Sequence, residues 1–145
     1  MRVLVADASV VVKWILPDRT EEHTAEAMAM LDDLQRDRLN LVQPPHWIVE
    51  TAAVVVRLRP HAADRAVRLL HSLELPIDDD EGTYAVGCRL AEELRHHLFD
   101  TLYHAIALRR AGAELVTADD RYFRKAKRFG AIRRLADYVA ADDRT

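Results

Sequence analysis

Cysteine is nearly absent from this chain of 145 residues. Cys88 is the one thiol, which excludes an internal disulfide framework and fits a reducing compartment. Glycine (4) and proline (5) are also scarce, which excludes collagen-like and low-complexity classes. No apolar run is long enough to span a bilayer. The opening Met1-Arg2-Val3-Leu4-Val5-Ala6-Asp7 is too short in its apolar part for a secretion signal, so a cytoplasmic location is expected. An excess of positive charge is lacking too: 21 Lys and Arg face 24 Asp and Glu, a net charge of −3. A protein that holds nucleic acid by counterion release is usually basic, so a polyanion would have to meet a local patch here. Unneutralised acids awaiting a metal would pull the charge in the observed direction.

What is present is apolar residue in quantity, 50 % of the chain, enough for the core of one domain. A single domain over 1–141 with a frayed tail at 142–145 is expected. Val3, Leu4 and Val5 are consecutive and apolar, the mark of a buried parallel strand. Ser9 can cap a helix that Pro17 stops. A second helix over 21–36 carries Ala25, Met28, Leu31 and Leu34 as one stripe. Leu39 to Gln43 gives another strand, and Pro45 opens the helix that carries Trp47 and Glu50. Helices follow from Pro60 and over 83–95, with a short strand from Leu73 to Ile77 between them. Asp100 leads a further helix, closed by Gly112. Glu114 to Thr117 is a strand, Asp119 opens the next helix, and Gly130 to Leu135 is an edge strand. The alternation predicts a three-layer α/β/α fold around a mostly parallel sheet of four to five strands.

Open parallel sheets bind ligands beyond the carboxyl ends of their strands. Asp7 and Asp119 each follow a strand, Asp100 opens the helix before the Asp119 strand, and Glu50 lies early in the helix after the second strand. Four carboxylates on one rim would repel one another. A divalent ion offsets that repulsion and activates water, and an oxygen-only donor set suits magnesium or manganese. Taken singly, each acid is equally well explained as a helix cap or a solvated side chain.

The segments Val5-Ala6-Asp7-Ala8-Ser9 to Trp14, Pro45-His46-Trp47-Ile48-Val49-Glu50, Asp100-Thr101-Leu102-Tyr103 to Ala107, and Leu115-Val116-Thr117-Ala118-Asp119-Asp120-Arg121-Tyr122-Phe123 resemble, in order, the four acidic motifs of PIN domains, especially VapC-type toxins. The resemblance implies that Asp7, Asp100 and Asp119 ligate Mg2+, with Mn2+ as substitute, and that Glu50 ligates or orients water. It implies Ser9 and Thr117 as hydroxyls that steady the carboxylates, and Asp120 as a supporting acid. It further implies metal-assisted hydrolysis of RNA to a 5′-phosphate and a 3′-hydroxyl, a VapB-like antitoxin and a homodimer. One departure is Ala53, where many relatives carry a polar residue.

Arg121, Arg124 and Lys125 could meet RNA phosphates beside Asp119, or form a solvated helix face. Arg57, Arg59, Arg65 and Arg68 are a second basic region. His104 shares the Asp100 face and could approach the site, although surface or packing roles are expected for all seven histidines. Cys88 is expected buried, and Tyr103 and Ala107 beneath the site. Met28, Met30 and Leu31 offer an antitoxin surface or simple core. Two other readings remain: an inactive PIN scaffold that binds RNA or protein, and a phosphotransfer or phosphatase domain with Asp7 as nucleophile.

Overall fold

A computed structural model describes residues 1–18 and 21–141; the tail expected at 142–145 lies outside the described residues. Strand β1 (Arg2–Ala6) is followed by helices α1 (Ala8–Ile15) and α2 (Thr24–Gln35), then β2 (Leu39–Leu41). Four helices come next: α3 (Trp47–Leu58), α4 (Ala63–Ser72), α5 (Glu81–Leu94) and α6 (Leu98–Leu108). Then β3 (Glu114–Thr117), α7 (Asp120–Ala126) and β4 (Ile132–Arg134) complete the order. The four strands form one all-parallel sheet in the order β2-β1-β3-β4. This is the expected fold class at the lower strand count.

The apolar run in β1 is explained by its place. Leu4, Val5 and Ala6 are each at most 2 % exposed, because β1 is central and helices α1 and α6 both pack on β1 and β3. Trp14 belongs to the core, its indole donating to the Ala27 carbonyl at 2.9 Å. At Gly87 an added Cβ would stand 3.1 Å from Leu102, so glycine is what lets α5 sit against α6.

Three expectations need correction. The run Leu73 to Ile77 is no strand. Glu74 takes a positive φ of 47° after α4, Pro76 has no N–H for a ladder, and only Ile77 makes a bridge, to Gln43. Cys88 is exposed; its neighbour Gly87 takes the buried position against α6. The buried line of α2 runs through Ala27, Met30 and Asp33; of the expected stripe, Leu31 and Leu34 pack on the core only in part, and Ala25 and Met28 are exposed. Asp33 is drawn inward because Tyr138 Oη donates to its Oδ2 at 2.5 Å and Arg38 Nε to its Oδ1 at 3.0 Å.

The order β2-β1-β3-β4 places the reversal of strand order between β1 and β3. At that switch the crossovers depart to opposite sides and leave a crevice above the carboxyl ends. The residues after β1 and β3 are Asp7 and the Ala118-Asp119 pair.

Candidate functional site

The position of Asp7 is set one residue earlier. Ala6 pairs with Val116 of β3 on one side. On its other side the Gln43 side chain takes over from the backbone of β2. Gln43 Oε1 accepts from the Ala6 amide at 2.9 Å, and Gln43 Nε2 donates to the Ala6 carbonyl at 2.7 Å. Gln43 is fully buried. Its signal in the sequence is a lone polar residue at the end of Leu41-Val42.

Asp7 is the N-cap of α1. Its Oδ1 accepts from the Ser9 amide at 2.9 Å and from the Ser9 hydroxyl, and its Oδ2 accepts from Thr117 Oγ1 at 2.6 Å. Ser9 Oγ in turn accepts from the Ala118 amide at 2.9 Å, and Thr117 Oγ1 from the Asp119 amide at 3.0 Å. Two hydroxyls thus tie the ends of β1 and β3 together around one carboxylate. The capping and the site readings of Asp7 are both satisfied by the same side chain.

Glu50, partly buried in the first turn of α3, and Asp100, in the first turn of α6, stand within electrostatic reach of Asp7. Burial pushes the Asp7 carboxyl up to about 6; bonds from Ser9 and Thr117 restrain it, and the Asp100 charge adds to the rise. Burial and then the Asp100 charge push Glu50 up to about 7, with Asp7 contributing. Tyr103 lies among the three acids. Its hydroxyl is buried, beside Glu50, with no partner at hydrogen-bond geometry. Burial and the three carboxylates raise its pKa far above the ordinary phenol value.

Asp119 is turned to its own helix. It caps α7, accepting from the Tyr122 amide at 3.1 Å. Asp100 is also engaged, its Oδ2 2.8 Å from His96 Nε2. Among the described residues, no three Asp, Glu, His or Cys side chains are placed so that together they could hold a metal ion. The donors that could hold one are carboxylates, the set that hard divalent cations prefer. Asp7 and Glu50 share the burial, and feel the nearby Asp100 charge, that a cation would offset. Asp120 is exposed at the start of α7.

The histidines divide differently from expectation. His104 is fully buried, its Nε2 2.8 Å from the Gly130 carbonyl and its Nδ1 3.0 Å from the Tyr122 hydroxyl. It fastens α6 to α7 and does not reach the acids. His96 does reach them, against its expected surface or packing role. His46 also comes near, with Nε2 3.7 Å from Glu50 Oε2 and 2.8 Å from the Phe99 carbonyl. Each stands four residues before its acid, and that one-turn spacing is the signal that could have found them. Of the basic residues beside Asp119, Arg121 and Arg124 are exposed. Lys125 instead turns inward, its Nζ 3.1 Å from His96 Nδ1.

No curated protein matches the chain in sequence. Among solved structures, VapBC2 from Rickettsia felis bound to a DNA fragment from their promoter contains a chain of the same fold. The TM-score is 0.62 at 14 % identity, over 91 % of this chain and 98 % of that one. Residues 4–128, which include all four acidic positions, match the PIN domain, and the chain belongs to the PIN domain family.

Proposed function

We propose that the chain is a metal-dependent endoribonuclease, the toxin of a toxin–antitoxin pair. The observation that carries this reading is the convergence of Asp7, Glu50 and Asp100 above the β1–β3 switch, with Asp7 fixed through both oxygens by Ser9 and Thr117. Carboxylates brought together at a cost to their ionisation are a ligand site by design rather than by accident. Family membership adds to the reading, since the match over residues 4–128 takes in all four acids.

Asp7, Asp100 and Asp119 would hold Mg2+ or Mn2+, with Glu50 beside them. The bound ion would supply charge neutralisation at the scissile phosphate and a water acidified to near-neutral pKa. Ser9 and Thr117 keep Asp7 in one rotamer, so that the site is oriented before substrate arrives. Glu50, with its pKa raised to about 7, is suited to take a proton from the attacking water near neutral pH. Tyr103 keeps its hydroxyl proton beside Glu50. Exposed Arg121 and Arg124, on the helix that Asp119 opens, would meet flanking phosphates.

The likeness to the VapBC2 complex supports a VapB-like antitoxin as partner. A groove of about 670 Å3 beside α1 could receive it: Val12, Ile15 and Leu16 give it apolar walls, and its rim is of mixed charge, with Arg59 and Arg65 on one part and Lys13 paired to Glu21 at 3.1 Å on another. Asp7 as a phosphate-accepting nucleophile is less well served, because both its oxygens already accept hydrogen bonds.

Purified protein should cut tRNA, rRNA or mRNA with Mg2+ or Mn2+ present, and EDTA should stop it. Mapped products should carry 5′-phosphates. A folded chain that cuts none of these RNAs with either metal would overturn the reading.

A further inference from the structure

We infer that His96 and Lys125 form a positioning pair that sets the orientation of Asp100; this rests on the metal-site reading above. The Lys125 ammonium, 3.1 Å from His96 Nδ1, has only donors to offer. Nδ1 must therefore present a lone pair to the ammonium, which leaves Nε2 as the nitrogen that donates. That N–H then donates to Asp100 Oδ2 at 2.8 Å. One tautomer satisfies both contacts, and the lysine selects it. The pair is held in place: the His96 ring stands edge-on to Tyr122 with centroids 4.9 Å apart, and Lys125 also reaches the Arg95 carbonyl at 3.4 Å. The His96 side chain is 14 % exposed, against 43 % for Asp100. The fixed donor is therefore the more sheltered partner and the carboxylate the one open to solvent.

The consequence is chemical. One Asp100 oxygen is committed to a fixed N–H, which leaves Oδ1 for a cation and limits how the carboxylate can turn. His96 does not touch substrate or ion in this arrangement. It acts through Asp100, and Lys125 acts through His96. The same contacts fasten α7, which begins at Asp120, to the corner between α5 and α6, so that Asp119 and Asp100 are spaced by a side-chain strut.

Two measurements on the full-length chain test this. Two-bond proton–nitrogen correlation spectra of the histidine rings should place the His96 proton on Nε2 in the wild type, and Lys125→Met should mix the tautomers. A wild-type proton on Nδ1, or a Lys125→Met ring unchanged from wild type, overturns the inference. Calorimetric titration with Mn2+ alone should show His96→Ala weakened by roughly 10-fold or more. His96→Gln, whose amide can donate from the place of Nε2, should recover most of the loss. If wild type binds Mn2+ and a folded His96→Ala binds it equally, the positioning role is wrong while the metal site stands. If wild type binds no Mn2+, the metal reading itself fails and takes this role with it.

Discussion

Asp7 caps α1, bridges two strands through Ser9 and Thr117, and carries a charge that its surroundings disfavour. These roles separate under substitution. Asp7→Asn keeps an oxygen for the cap but removes the charge. It should abolish metal-dependent cleavage, losing more than the roughly 10- to 100-fold typical of outer partners. In EDTA the same variant should melt higher than wild type. The sign follows from the shift. An acid whose pKa is raised on folding, here from 3.8 to about 6, binds more protons folded than unfolded, so its ionisation at neutral pH costs stability, on the order of 2 kcal/mol. Asp119 separates in the complementary way. Asp119→Ala should lose about 1 kcal/mol through the α7 cap, whereas Asp119→Asn should keep the cap and lose only metal-dependent activity. Thermal melts and Mn2+ titrations of the three variants check these outcomes.

Gln43 does for β2 what a longer strand would otherwise do, lending two side-chain hydrogen bonds to Ala6. Gln43→Leu fills the volume but strands a buried N–H and a buried carbonyl, and should cost about 2–4 kcal/mol. Cleavage should fall further than stability accounts for, because Asp7 follows Ala6 directly. Chemical denaturation and single-turnover cleavage, measured on the same preparation, separate the two effects. At this scale the limits of sequence reading are also visible. β1, β3 and the helices that bear Glu50 and Asp100 were legible, since consecutive Val and Leu, capping residues and Pro45 are local signals. The α2 register was not legible. Its inward residue is Asp33, and nothing within α2 announces the Tyr138 hydroxyl that satisfies it more than a hundred residues later. The Lys125 contact of His96 escaped for the same reason, since it comes from another helix. The four acids were legible as a set, and Asp119 as the opening of a helix; that His96 is held between Asp100 and Lys125 was not.

The molecule as a whole carries opposed responses to pH. Burial alone would raise the Asp33 carboxyl, yet bonds from Tyr138, the Ala141 amide and Arg38 outweigh it and hold its pKa below the ordinary value. Its contribution is present above the unfolded pKa near 4 and is lost as pH falls through the folded one. Asp7 and Glu50 contribute in the other direction, destabilising as pH climbs toward about 6 and about 7. The metal-free chain should therefore be most stable in acid, near the unfolded carboxyl pKa of about 4, and Mg2+ should move the optimum upward by mass action on the ionised site. A series of melting temperatures from pH 3 to 9 with EDTA or Mg2+, all values approximate bounds for the scan, checks both halves. A metal-free optimum above neutrality would contradict the assignment.

The bond from Thr117 to Asp7 joins residues 110 apart in the chain. The strand that Asp7 terminates is made well before its neighbour β3. Contacts of such separation form slowly. Until β3 is made, Asp7 is an ordinary acid, without the threonine that fixes it. A protein whose proposed activity would attack the RNA around its own synthesis thus acquires its chemistry only after β3 has joined β1.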